Sequence, residues 1–242
     1  MADIDQLLVT HSFETEGIEE INGDLVLDID VLPNRAHDCL GYEGIARELG
    51  GLMGREVLDT ASRYAKSGKW EVGSGAQHRM VLGYKGELGA SIQNKEQCRR
   101  YALREIKGVR VGESPDWLKA RLEAMGQRSI NNLVDVTNYV LFDLGQPTHI
   151  FDAQKIAGDI VVRNARDGEE MTALGGEELT LDPSMLVIAD QEKVLALAGV
   201  KGGTAAEVDE STTDVVLEVA NFEPISTRKT RQKVRSEEHT SE

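Results

Sequence analysis

From Asp159 onward the chain is a run of short apolar stretches cut apart by glycine, aspartate and proline: DIVVRNA, GGEELTL, MLVIAD, KVLALAG and DVVLEVANF. Each has the length of a strand and is too short for an ordinary helix. Two helical patterns precede them. Ser114-Pro115 reads as a hydroxyl cap followed by proline at the first helical position, Leu118, Leu122 and Met125 share a face, and Gly126 stops the helix. Leu133, Thr137, Val140 and Leu144 then form a stripe on a second helix, ended by Gly145 and Pro147. REIKGVRV, before both, reads as a strand. A pair of helices followed by a run of strands predicts an α+β fold with a mixed, antiparallel-rich sheet and flanking helices.

The first stretch reads as a separate small α/β module. In VLDIDVL, Leu27, Ile29 and Val31 have one parity and Asp28 and Asp30 the other, which predicts a strand with one wet face. Pro33-Asn34 breaks it. Ile45, Leu49 and Leu52 fall at helical spacing, and Gly50-Gly51 is expected to loosen that helix's end. TASRYAKSGKWEVGSGAQ is polar and glycine-rich and reads as a linker. No apolar run approaches the length of a membrane helix, and MADIDQLL is unlike a signal peptide, so a soluble cytoplasmic protein is expected.

Net charge is −15. Such a chain repels a phosphate backbone at long range, so contact with nucleic acid needs a local basic patch or a partner. One basic cluster exists, Arg228, Lys229, Arg231, Lys233 and Arg235; it is either such a patch or the solvated face of a terminal helix. Cys39 and Cys98 are far apart and form no CxxC pair, and the five histidines are scattered, so neither a disulfide framework nor a metal site is expected.

There is no P-loop, GxSxG or HExxH. Three local features remain, each with two readings. In GQPTHIFD, His149 sits just past a glycine–proline reversal, either steadying the turn or acting on a ligand. In ALAGVKGGTAAEV, Gly199, Gly202 and Gly203 allow positive φ and either make a tight turn or let a ligand approach the main chain. In DVVLEVANF, Glu218 shares a strand face with Val216 and Ala220, either at a wet surface or on a pocket floor.

In this order, LDIDVLPNRAHDCLGYEGIAREL, CRRYALREIKGVRV, VDVTNYVLFDLGQPTHIFD, GEELTLDPSMLVIAD and ALAGVKGG with VVLEVANFEPIS resemble the β subunit family of bacterial phenylalanine–tRNA ligase. VDVTNYV followed by GQPxHxFD is the most specific part. The resemblance implies an N-terminal module over 1–58 without the usual OB-fold insert, a linker over 59–93, a tRNA-editing domain over 94–234, and a C-terminal octet, 235–242, that back-translates to a sequencing adapter and is expected to be non-native. The editing pocket is then expected to lack a small residue that the family supplies after RKTRQKV.

The resemblance further implies an enzyme that attaches phenylalanine to tRNA(Phe) as an (αβ)₂ assembly with an α subunit. ATP and Mg²⁺ serve the whole ligase, with no cofactor or metal in this chain and no membrane partner. The editing domain would hydrolyse tyrosine wrongly attached to tRNA(Phe). By resemblance, Glu218 recognises the tyrosine hydroxyl, His149 and Asn138 lie near the scissile ester and its water, Gly199 and Gly202 keep the pocket open, and Arg128 lies near the tRNA 3′ end. The alternatives are a non-catalytic tRNA-docking module and a freestanding trans-editing factor.

Overall fold

The structure, a computed structural model, describes residues 1–57 and 88–238. Most of the expected linker (59–87) and the last four residues of the expected non-native octet (239–242) lie outside the described residues. The described residues divide into two compact units, 1–57 with 113–147 and 88–112 with 148–238. Residues 113–147 therefore group with the N-terminal stretch by contact. Among the described residues no helix is long and apolar enough to cross a membrane.

The first unit holds α1 (Ala2–His11), β1 (Glu14–Ile21), β2 (Asp24–Asp30), α2 (Ala36–Cys39), α3 (Tyr42–Met53), α4 (Asp116–Ala124) and α5 (Asn132–Leu144). Strands β1 and β2 form an antiparallel hairpin whose two-residue turn, Asn22-Gly23, has φ of 54° and 84°. Both positive angles match the twist of paired strands, which is why Asn-Gly suits such turns. Leu27, Ile29 and Val31 face inward onto Leu8, Phe13 and Cys39, joined by Ile45, Leu49 and Leu52 of α3. Helix α3 runs through Gly50-Gly51 and ends at Gly54, whose φ is +60°.

Two local expectations change in α4 and α5. Ser114 is not a helix cap; its hydroxyl donates to Asp135 at 2.5 Å. The cap of α5 is Asn131, whose Oδ1 accepts from the amides of Leu133 and Val134. The expected stripe is only partly the inward face of α5: Thr137 is buried, and Leu133 and Val140 are half-buried. Leu144 is exposed, while the deepest residues are Asp135, Thr137 and Asp143. Asp135 is fully buried and accepts three hydrogen bonds, from Ser114 Oγ, Ser129 Oγ (2.6 Å) and the Ile130 amide (2.9 Å). A buried carboxylate is tolerated when its oxygens are satisfied in this way, and here it sets which face turns inward.

The second unit holds β3 (Ala90–Ile92), β4 (Cys98–Lys107), β5 (Thr148–Asp152), β6 (Ile160–Asn164), β7 (Glu169–Thr172), β8 (Glu178–Leu181), β9 (Leu186–Ala189), β10 (Val194–Leu197), β11 (Lys201–Gly202), β12 (Asp214–Phe222) and α6 (Pro224–Glu238). The strand expected at REIKGVRV starts earlier, at Cys98, and stops before Gly108, whose φ of +71° breaks the extended run. A five-stranded sheet has the order β11-β10-β9-β6-β3, with β3 and β6 parallel and its other pairs antiparallel. A three-stranded antiparallel sheet has the order β4-β12-β5, and β7 pairs with β8.

All four residues of β9 are buried because both faces of its sheet are covered. Leu186 and Ile188 pack with Tyr101, Phe151 and Val216 of the three-stranded sheet. Val187 and Ala189 pack with Met171, Leu179 and Leu181 of β7 and β8 and with Val234 of α6. A bulge between Val194 and Ala196 turns Leu195 and Ala196 into the same core layer. The fold is α+β with mixed, antiparallel-rich sheets, as the order of helical and strand patterns predicts.

Candidate active site

Strand register assembles the site in the second unit. Within β4-β12-β5, Glu218 is paired with Leu103 on one side and His149 on the other, and Ala220 is paired with Tyr101. Paired residues in an antiparallel sheet share a face. Tyr101, Leu103, His149, Phe151, Val216, Glu218 and Ala220 therefore rise from one face, and the apolar members pack against Ile188, Leu195 and Ala196. This is an interior face. Of the two readings open to Glu218 from its parity, the buried one holds: it is 6% exposed.

The polar groups on this face are not self-satisfied. Among the described residues three buried side-chain oxygens have no hydrogen-bond partner: Glu218 Oε1 and Tyr101 Oη on this face, and Thr148 Oγ1 on the opposite one, where it pairs with Val219. Burial without a donor penalises the charged carboxylate and pushes the Glu218 carboxyl up to about 7. Burial also holds the Tyr101 phenol well above its usual range, and the Glu218 charge adds to it. The Cys98 thiol is pushed up to about 11, mainly by burial and further by Glu218.

His149 is not in a loop; it lies on β5, at the edge of the three-stranded sheet. Its ring meets Phe151 edge-on, with centroids 4.6 Å apart. Burial lowers its pKa, so the imidazole is favoured neutral. Gly202 lies against that ring: a Cβ there would sit 2.8 Å from His149 Cε1 and 2.8 Å from Leu174 Cδ1. Gly202 is thus required by close approach and not by a positive φ. Gly203 is similar, since a Cβ would meet the Leu195 carbonyl oxygen at 2.6 Å, and its amide is not left uncovered but donates to that same oxygen. Gly199 alone of the three has the left-handed φ, +68°, with Phe222 and Thr227 beside it.

His149, Glu218 and Gly202 are therefore brought together, with Gly199 on the loop leading into β11. Asn138 and Arg128 belong to the first unit: Asn138 is half-buried on α5, and Arg128 is exposed between α4 and α5. The five basic residues of the C-terminal cluster are exposed along α6, where Lys233 also bonds Asp182 and Ser184 at 2.8 Å. No group of three or more histidine, cysteine or acidic side chains able to hold a metal occurs among the described residues. Sequence reading missed Tyr101. Its signal was a tyrosine inside a strand that continues on the same parity to Leu103, but parity says nothing of the chain that covers that face.

The B3/4 domain family matches residues 97–242. Proteins named phenylalanine–tRNA ligase β subunit are similar along most of the chain. The Methylococcus capsulatus protein is 47% identical over 202 residues, covering 83% of this chain and 24% of its own length. That of Carboxydothermus hydrogenoformans is 45% identical over 213 residues, covering 87% and 25%. That of Rhodopirellula baltica is 40% identical over 221 residues, covering 91% and 30%. The chain thus spans less than a third of the length of these relatives. A crystal structure of an N-terminal fragment of the phenylalanyl-tRNA synthetase β subunit from Pyrococcus horikoshii covers 93% of this chain and 64% of its own at 16% identity, with a TM-score of 0.45, too loose a likeness to compare folds. With a match over residues 97–242 and identities of 40–47% to the named subunits, the chain belongs to the B3/4 domain family, in the form carried by phenylalanine–tRNA ligase β subunits.

Proposed function

We propose that this chain carries the proofreading domain of a ligase that charges tRNA(Phe) with phenylalanine, a domain that hydrolyses the ester linking tyrosine to tRNA(Phe). The observation that carries the reading is the Glu218 carboxyl, buried on an interior sheet face with Oε1 unpartnered, in register with His149. A synthetic site shaped for an apolar side chain rejects a near-isostere with one added hydroxyl only weakly, so a second site must correct the error. That second site needs the opposite chemistry. A buried acceptor rewards tyrosine's phenol, and phenylalanine leaves it unpaired at a cost of about 1–3 kcal/mol.

In this reading Glu218 accepts the phenol hydrogen, and the ester lies toward His149. A neutral imidazole, favoured here by burial, can accept a proton from an attacking water. No covalent nucleophile is assigned; positioning of water, ester and substrate hydroxyls supplies the rate. Gly202 keeps a side chain out of the space beside His149, and Gly199, on the same loop, is proposed to help keep the pocket open. For Asn138, near the ester's water, and Arg128, near the tRNA 3′ terminus, the proposed roles rest on the family resemblance alone. The α subunit and tRNA(Phe) are the proposed partners in the cytoplasm. ATP and Mg²⁺ belong to the charging reaction of the whole ligase, and no residue of this chain is assigned to them.

The test is deacylation of Tyr-tRNA(Phe) and Phe-tRNA(Phe) by this chain and by its Glu218→Ala and His149→Ala variants. The expected result is preferential release of tyrosine, with the preference lost in Glu218→Ala and the rate lost in His149→Ala. Binding of tRNA without ester hydrolysis would instead favour a docking module.

A further inference from the structure

Glu218 is not the only orphaned polar group on its sheet face. Tyr101 is 1% exposed, its hydroxyl has no partner among the described residues, and it rises from the same face of β4-β12-β5 two register pairs along. Two unpartnered polar atoms this deep are unusual, because buried polar groups are nearly always hydrogen-bonded. They are also complementary. A tyrosine hydroxyl can donate, while Oε1 of a carboxyl is an acceptor. The phenol is held well above its ordinary pKa, so it keeps its proton.

A group that satisfies both must accept from Tyr101 and donate to Glu218. A hydroxyl does this. An ammonium cannot accept, and a carbonyl or carboxylate cannot donate. We propose that Tyr101 is a second specificity residue, and that its hydroxyl and the Glu218 carboxyl receive a single ligand hydroxyl between them. This rests on the editing reading for the identity of that ligand, a tyrosyl side chain, and deepens it: phenylalanine would strand two buried groups instead of one. Discrimination by two coupled hydrogen bonds exceeds what one acceptor gives, since each unmet partner adds its own penalty.

The experiment is equilibrium binding of L-tyrosinamide and L-phenylalaninamide to the full 242-residue chain and to Tyr101→Phe, Glu218→Gln and the double variant, with Tyr-tRNA(Phe) deacylation assayed in parallel. Tyr101→Phe is expected to weaken tyrosinamide about tenfold and to leave phenylalaninamide unchanged or tighter. The double variant should lose less than the product of the single losses, since both groups hold one hydroxyl. The ligand-free Tyr101→Phe chain should melt at the same temperature or higher, because a buried unpaired hydroxyl has been removed. Tyrosinamide binding unchanged in Tyr101→Phe, equal weakening of both amides, a lower melting temperature in the free variant, or no binding of either amide would overturn the proposal. Deacylation that depends on Glu218 but not on Tyr101 would overturn the role of Tyr101 and leave the editing reading standing. Discrimination as expected without any deacylation would overturn the editing reading and leave Tyr101 in place.

Discussion

His149 is the register partner of Glu218 across β5 and β12, so an imidazole and a carboxyl rise side by side from one buried sheet face. They respond to burial in opposite directions in pKa and in the same direction in charge: both are driven toward their neutral forms. The pair makes a site that is polar without being strongly charged.

The raised carboxyl predicts a pH dependence of stability. The folded state holds the Glu218 proton up to about pH 7, while an unfolded glutamate releases it near 4.5. Below about pH 4.5 both states carry the proton and no penalty applies. Between about 4.5 and 7 the folded state binds more protons, so stability falls as pH rises, by about 3 kcal/mol in all at about 1.4 kcal/mol per pH step. Glu218→Gln should remove this fall. Urea unfolding at about pH 5 and pH 8 checks it; an equal fall in the variant would rule out Glu218 as its source.

Gly202→Ala should damage hydrolysis more than stability. The added methyl meets the far end of His149 and the tip of Leu174, both at 2.8 Å. Those side chains can swing aside, at about 1–3 kcal/mol, but the imidazole then leaves its position. The expected result is at least a tenfold loss of Tyr-tRNA(Phe) deacylation with a cooperative melt retained. Full activity would mean that the His149 position is not important.

Gly199→Ala should act on stability first. A φ of +68° costs a residue with a Cβ about 1–2 kcal/mol, and here the methyl also lies 2.9 Å from the Phe222 ring. A fall in melting temperature of about 5 °C follows for a chain of this size. Calorimetry checks it, and an unchanged melt would show that the turn relaxes freely.

Asp135→Asn should loosen the segment before α5. It turns an acceptor of three donors into a group with its own N–H pair facing them. The expected cost is about 2–4 kcal/mol, against about 1 kcal/mol for Ser129→Ala. Amide exchange at Leu133 and Val134 reads the effect locally; unchanged protection there would contradict it.

The wet-faced strand β2, the α3 helix, strands β6, β8, β9, β10 and β12 and the stop at Gly145 were legible in the sequence, because each rests on local period or on a residue's own backbone preference; β7 and the two-residue β11 were not. The Asn22-Gly23 hairpin was equally local in origin, although alternation drew attention only to its second strand. What sequence left open was which face each element buries. On α5 the stripe from Leu133 to Leu144 caught the buried Thr137, but it did not foretell that Asp135 would be buried beneath three donors while Leu144 stayed exposed. In DVVLEVANF, parity set Glu218 apart from Val215, Leu217 and Val219, yet it could not say which parity would be covered. That was decided by β4 and β5 pairing on either side of β12 and by Ile188, Leu195 and Ala196 closing over its face. Alternation is a property of one strand, whereas burial and the lack of a partner depend on chain distant in sequence. For that reason Tyr101, plain in the sequence, became a candidate only in the folded chain.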